Sequence, residues 1–196
     1  EEDNFLILKS DFIEIDRNVY IPKGYKVLIK PGQKILLTNK AFIISNSPWQ
    51  IGGDDKPVII TGENNNLGGG ILISDTEELS KIENVEFSYL TGYDLEKNFE
   101  HIILGSINFH QTKVEIEKVV FKNIFSEDAI NIFRSEFKIY DANYNNIFSD
   151  AIDIDFSAGK IMKSDFKNIN NDAIDFSGSK VTINNANFNN INDKII

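Results

Sequence analysis

The C-terminal half of the chain repeats itself, and the period of that repeat limits the fold more than any other feature. Phe121-Lys122-Asn123-Ile124 recurs as Tyr144-Asn145-Asn146-Ile147, Phe166-Lys167-Asn168-Ile169 and Phe188-Asn189-Asn190-Ile191, at steps of 23, 22 and 22 residues. Asp128-Ala129-Ile130, Asp150-Ala151-Ile152 and Asp172-Ala173-Ile174 keep the same step, as do Ser135, Ser157 and Ser179. Two fainter copies precede them. Gly105-Ser106-Ile107-Asn108-Phe109 aligns with Asp128-Ala129-Ile130-Asn131-Ile132, and Asn84-Val85-Glu86-Phe87 aligns with the stretch ending at Phe121. The last step is longer by 12 residues, an excess that predicts an inserted loop near residues 91–104.

Within each copy the apolar residues alternate, as in Ile152-Asp153-Ile154-Asp155-Phe156 and Val114-Glu115-Ile116. That is the two-residue period of a strand, not the helical period. The strands are β-branched and aromatic and are separated by Asn, Asp, Ser and Gly. A unit of about 22 residues with two or three short strands is one coil of a solenoid. The Leu-x-x-Leu-x-Leu pattern of leucine-rich repeats is absent. The sequence therefore predicts an all-β right-handed parallel β-helix, each strand pairing with its copy one coil along at about 4.8 Å. Phe121/Tyr144/Phe166/Phe188 and Ile124/Ile147/Ile169/Ile191 become inward ladders. Asn123/Asn146/Asn168/Asn190 become a corner ladder whose amides bond along the stack.

The first 75 or so residues are less regular and hold all four prolines, Pro22, Pro31, Pro48 and Pro57. Val19 to Pro22 and Val27 to Pro31 read as strands ended by turns. The expected division is an N-terminal cap or capping strand over residues 1–18 and the β-helix over 19–196. Asn64 to Gly70 reads as a flexible loop. Ile195-Ile196 leave an open, apolar end, which predicts either a continuing chain or a covering partner, self-association included.

Charge narrows the function. Lys plus Arg is 20 and Asp plus Glu is 30, a net charge of −10. Phosphate contacts need basic clusters, so nucleic acid is not expected as a partner, nor is an anionic membrane surface. No apolar run approaches the ~20 residues of a membrane span. Cysteine is absent, which excludes disulfides, thiolate metal sites and a cysteine nucleophile. There is no Gly-x-Ser-x-Gly, phosphate-binding glycine loop or His-Glu-x-x-His. The start, Glu1-Glu2-Asp3, is not that of a signal peptide.

Stacking brings the candidate residues together. With Ile107, Ile130, Ile152 and Ile174 inward, Asn108, Asn131, Asp153 and Asp175 form an outward row. His110, Phe133, Asp155 and Ser177 form a second row on the same face, with Arg134 at its end. Asp153 and Asp175 then lie about 5 Å apart at the backbone, and Asp153 and Asp155 about 7 Å. Three carboxylates this close repel each other, which raises at least one pKa unless a cation relieves it. Oxygen ligands favour Ca²⁺. Asp153, Asp155 and Asp175 are thus candidates both for catalysis and for metal binding, and Asn108, His110, Asn131 and Arg134 for substrate contacts. The competing reading is a solvated acidic strip. Asp153-x-Asp155-x-Ser157 is not an EF-hand, which needs Gly at 158 and Glu at 164, where Ala158 and Ser164 stand. The Asp128/Asp150/Asp172 row is expected to accept backbone N–H groups in a turn. Trp49, Tyr89 and Tyr93 are candidates either for sugar stacking or for core and cap.

From about Val19 onward the chain resembles the right-handed parallel β-helix superfamily with the pectin-lyase-like fold. Ser149-Asp150-Ala151-Ile152-Asp153 and Asn171-Asp172-Ala173-Ile174-Asp175-Phe176-Ser177-Gly178-Ser179 carry the resemblance. It is also similar to bacterial surface β-helix modules of unknown activity. That superfamily includes polysaccharide lyases, glycosidases, uronate epimerases, tailspikes and adhesins, so fold alone does not choose a function. Asn171-Asp172-Ala173-Ile174-Asp175 followed by Asn192-Asp193-Lys194 is similar to the polygalacturonase pattern, with Lys194 in place of its second Asp. Arg134 beside Asp153 and Asp155 is the one echo of calcium-dependent pectate lyases. The resemblance implies an extracellular or cell-surface protein and a polysaccharide partner, acidic or neutral. The first expectation is a non-catalytic module that scaffolds or binds glycan along a sheet face and requires no cofactor. The alternatives are a calcium-assisted polysaccharide lyase or glycoside hydrolase, and a self-assembling, adhesin-like segment.

Overall fold

A computed structural model describes residues 4–53, 56–93 and 103–196. The chain winds through about eight coils. The first three are β1 (Asn4–Ile7), β2 (Phe12–Ile15), β3 (Val19–Ile21); β4 (Tyr25–Ile29), β5 (Lys34–Leu37), β6 (Phe42–Ser45); and β7 (Trp49–Gly52), β8 (Val58–Thr61), β9 (Gly70–Ser74). The next three are β10 (Leu79–Glu83), β11 (Val85–Ser88), β12 (Gly105–His110); β13 (Lys113–Glu117), β14 (Val120–Ile124), β15 (Asp128–Phe133); and β16 (Glu136–Tyr140), β17 (Asn143–Ile147), β18 (Asp150–Asp155). β19 (Ala158–Met162), β20 (Asp165–Ile169) and β21 (Ile174–Ser177) form the seventh, and β22 (Lys180–Asn184) and β23 (Asn187–Ile191) open the eighth. Every third strand joins one sheet. Sheet A runs β1-β4-β7-β10-β13-β16-β19-β22, sheet B runs β2-β5-β8-β11-β14-β17-β20-β23, and sheet C runs β21-β18-β15-β12-β9-β6-β3. All neighbours are parallel, as in β15 with β18 and β19 with β22. No helix occurs among the described residues, so none is long and apolar enough to cross a membrane.

Residues 4–15, assigned to a cap above, supply β1 and β2 of the first coil and pair with β4 and β5. The strands form because every second side chain reaches a dry interior shared by the three sheets. Ile107, Ile130, Ile152 and Ile174 are in register and buried, as are Phe121, Tyr144 and Phe166. Trp49 belongs to this core and not to a sugar-stacking surface.

The corners are held by two devices. Ser157 Oγ accepts the Ser135 N–H one coil back (2.9 Å, 22 residues away) and donates to the Asp155 carbonyl (2.8 Å). Ser135 and Ser179 repeat the arrangement. The asparagine ladder forms as expected. Asn146 donates to Asn123 (3.2 Å), Asn168 to Asn146 (3.0 Å) and Asn190 to Asn168 (2.9 Å). These asparagines take left-handed φ values of 53 to 58°, which Asn tolerates better than most residues.

The coil takes more residues where the insert was expected, while β9 and β12 still pair in register. Thr76 and Thr112 stack across the same corner although 36 residues apart. Residues 94–102 of that insert lie outside the described residues. Its flanks pack on the outside of sheet C: Tyr93 meets Phe42 edge-on at 5.0 Å, and Ile103 joins Phe42 and Leu72 in a second small core. The run Asn64 to Gly70, expected as a flexible loop, is fastened at both ends. Glu63 and Asn66 bridge each other, Gly68 pairs with Leu90, and Gly70 (φ 146°) opens β9 with its Cα against the Ser106 carbonyl, where a side chain would collide.

Candidate functional site

The outer face of sheet C carries the polar groups that the repeat makes neighbours. Asn108, Asn131, Asp153 and Asp175 are in register on β12, β15, β18 and β21, each flanked by inward isoleucine or phenylalanine. His110, Phe133, Asp155 and Ser177 form the adjacent row. Both rows stand as the alternation predicts.

Outward is not the same as exposed. Asn108 is fully buried, and its carboxamide is spent on backbone. Its Oδ1 accepts the Gly105 N–H (3.0 Å), while its Nδ2 donates to the carbonyls of Gly105 (2.7 Å) and Ile71 (3.1 Å). It therefore fixes the start of β12 and faces no solvent. Asn131, one coil on, is also buried but ties charged groups together. Its Nδ2 donates to Asp153 Oδ2 (2.9 Å) and to Asp128 Oδ2 (3.2 Å). His110 Nε2 lies 2.9 Å from Asn131 Oδ1, which can only accept, so the imidazole proton sits on Nε2.

This network holds carboxyl groups that resist ionising. Burial, and then the charge of Asp153, push Asp128 up to about 8. Burial, with Asp155, Asp175 and Asp150 behind it, pushes Asp153 up to about 7. Burial and then Asp175 raise Asp155. Burial also raises Asp150, against hydrogen bonds from the Asp172 N–H (2.9 Å) and Asn171 (2.7 Å). Asp172 in turn accepts the Lys194 N–H (2.9 Å) and pairs with its ammonium (3.3 Å). Asp150 and Asp172 thus accept backbone N–H groups from the next coil, the role expected of that row. Asp128 instead faces Asn131.

Of the residues expected to hold a metal, Asp175 joins Asp150 and Asp172, and the nearest oxygens of these three lie within 4.8 Å of one another. Among the described residues, Asp153 and Asp155 are not part of that trio. Asp153 bonds Asn131 and feels the charges of Asp155, Asp175 and Asp150, and Asp155 feels that of Asp175.

Beside these carboxylates runs a groove of about 740 Å³, with Tyr20, Asn46, His110, Asn131, Phe133 and Asp155 in its walls. Tyr20 is 63 % exposed, and its hydroxyl donates to Asn46 (2.8 Å). His110 and Phe133 meet edge-on at 5.6 Å. Arg134 sits at the turn from sheet C to sheet A, its guanidinium 4.9 Å over the Phe133 ring, a cation–π contact. Planar polar groups beside aromatic faces are what a hydroxyl-rich ligand with apolar C–H faces requires.

Sequence reasoning missed Tyr20, Asn46 and Phe156. Tyr20 and Asn46 lie in the irregular coils, where no repeat aligns them. In the sequence Phe156 continues the inward alternation of Ile152 and Ile154, but the strand ends at Asp155 and the left-handed Phe156 turns outward, 62 % exposed. No protein-family model matches the chain, and no curated protein matches it either.

Proposed function

We propose that the chain is a β-helix module of the pectin-lyase-like kind, part of a secreted or surface protein, that binds neutral polysaccharide along the outer face of sheet C. The observation that carries this reading is the groove whose walls hold both the rings of Tyr20, His110 and Phe133 and the polar groups of Asn46, Asn131 and Asp155. Charge argues for a neutral ligand over an acidic one. A polyanion would meet a chain of net charge −10 and Asp75 and Asp155 in the groove wall. Neutral hydroxyls donate to those same oxygens.

Electrophoresis in gels containing a soluble β-glucan or polygalacturonate tests the reading. The β-glucan should retard the wild type, and Phe133→Ala should lose at least about fivefold in affinity, the scale of one aromatic contact. Absence of retardation by neutral glycan, or retardation by polygalacturonate alone, would contradict it.

The raised Asp153 favours a second reading. A carboxyl that stays protonated near neutrality beside other carboxylates is the division of labour used in glycoside hydrolysis. Calcium held by Asp150, Asp172 and Asp175 would lower Asp153 again, so it belongs to the calcium-assisted lyase alternative and not to an acid role for Asp153. Release of reducing or unsaturated ends, abolished in Asp153→Asn, would establish it.

A further inference from the structure

Five successive coils turn from sheet C to sheet A through a left-handed residue: Asp75 (φ 54°), Gln111 (51°), Arg134 (48°), Phe156 (50°) and Gly178 (61°). Other left-handed positions among the described residues are filled by glycine, by Asn39, Asn84, Asn123, Asn146, Asn168, Asn185 and Asn190, and also by Lys40, Tyr89, Lys118, Asp141 and Lys163. Asparagine is the residue that this backbone accepts at least cost after glycine. The row from sheet C to sheet A departs from the tolerant residues Gly, Asn and Asp in three of its five places, Gln111, Arg134 and Phe156. Within this row Phe156 is the sharpest departure, since bulky side chains rarely adopt positive φ; elsewhere in the chain Tyr89 (φ 54°) also does. Strain of this kind persists where something else requires the side chain.

Phe156 is not required by the core. It is 62 % exposed. Its ring leans over Gly178, where a Cβ would come within 2.8 Å of Cδ1, so glycine at 178 leaves it room. On its other side it meets Phe133 edge-on at 6.1 Å, and Phe133 carries the Arg134 guanidinium. Phe156 and Arg134 also line a second trough, of about 760 Å³, alongside this corner. Gln111 reaches along the row to Asp75 (2.9 Å). The row therefore presents, coil after coil, a carboxylate, an amide, a guanidinium and an aromatic ring over roughly 15 Å.

We propose that Phe156 is held in the left-handed conformation to present its ring, with Arg134, as a stacking and hydrogen-bonding platform for a neutral β-linked hexose polymer lying along the solenoid axis. The proposal rests on the glycan-binding reading above and extends its site from the groove onto the corner. An elongated ligand follows from a row that runs across coils. Neutrality follows from the carboxylates of the adjoining face, and a β-linked hexose from a flat aromatic that matches the C–H face of an equatorially substituted ring.

The test compares the wild type with Phe156→Asn, using cellohexaose binding by calorimetry, thermal unfolding and sedimentation. Asparagine suits the backbone, so the melting temperature should hold or rise, while affinity for cellohexaose should fall at least about fivefold. A lower melting temperature would make the ring a structural element and overturn the proposal. Unchanged affinity in a stable variant would overturn it while leaving the glycan-binding reading intact. A wild type that binds no neutral glycan would remove both. A change in association state in place of affinity would make the corner a contact between copies, which also overturns it.

Discussion

Asp128 is 2 % exposed, accepts a hydrogen bond from Asn131 and is pushed up to about 8 by burial and by Asp153. An unfolded aspartate titrates near 3.9. Between those two values the folded chain holds a proton that the unfolded chain has released. Its stability contribution is therefore complete at low pH and is lost as pH rises through the folded value. Asp153, raised to about 7, acts in the same direction over a lower range. Asp128→Asn keeps an acceptor for Asn131 and removes the charge. It should melt close to wild type at pH 5 and higher than wild type at pH 9. Parallel melting curves across that range would show that Asp128 ionises freely. At this scale the sequence told direction but not depth. Alternation placed Asn108 and Asn131 outside the barrel, yet both are buried. Beside Asn108 the flank of the insert packs on that face, Tyr93 and Ile103 against Phe42 and Leu72, with no counterpart in the repeat, while Asn131 is enclosed by its own bonds to Asp128, Asp153 and His110.

The elements follow from stacking. Phe87, Phe121, Tyr144, Phe166 and Phe188 lie one above another inside sheet B, with centroids 4.7 to 5.1 Å apart and planes within 18°. Coil spacing sets that separation, since isolated rings prefer offset or edge-on contact. Tyr144 carries the one hydroxyl in the stack, and it is buried with no partner. Removing a buried unsatisfied hydroxyl should stabilise the fold. Tyr144→Phe, which continues the ladder unchanged, is expected to add about 1 kcal/mol in denaturant unfolding. A loss of stability would mean that the hydroxyl has a partner such as a bound water. This ladder was legible because each copy names its neighbour, so one correct alignment fixes every register. In the first three coils the copies have diverged and no such alignment exists. There the strands had to be read singly, and Tyr20 and Asn46 went unnoticed.

The whole molecule is a column of coils in which each touches only its neighbours, so its faces are continuous strips and not isolated pockets. Sheet A's outer face pairs opposite charges, as in Lys138 with Glu115 (2.7 Å). Sheet C's outer face instead gathers carboxylates at one end and aromatic rings beside an open groove at the other. That asymmetry is why sheet C, and not its two partners, is assigned the ligand. Amide chemical shifts recorded during titration with a soluble neutral β-glucan test the assignment most directly. The account predicts saturable shifts confined to sheet C, along the groove from Tyr20 and Asn46 to His110, Phe133 and Asp155, and to the corner through Gln111, Arg134 and Phe156. Shifts centred on sheet A or sheet B, or none at a saturating glycan concentration, would contradict it.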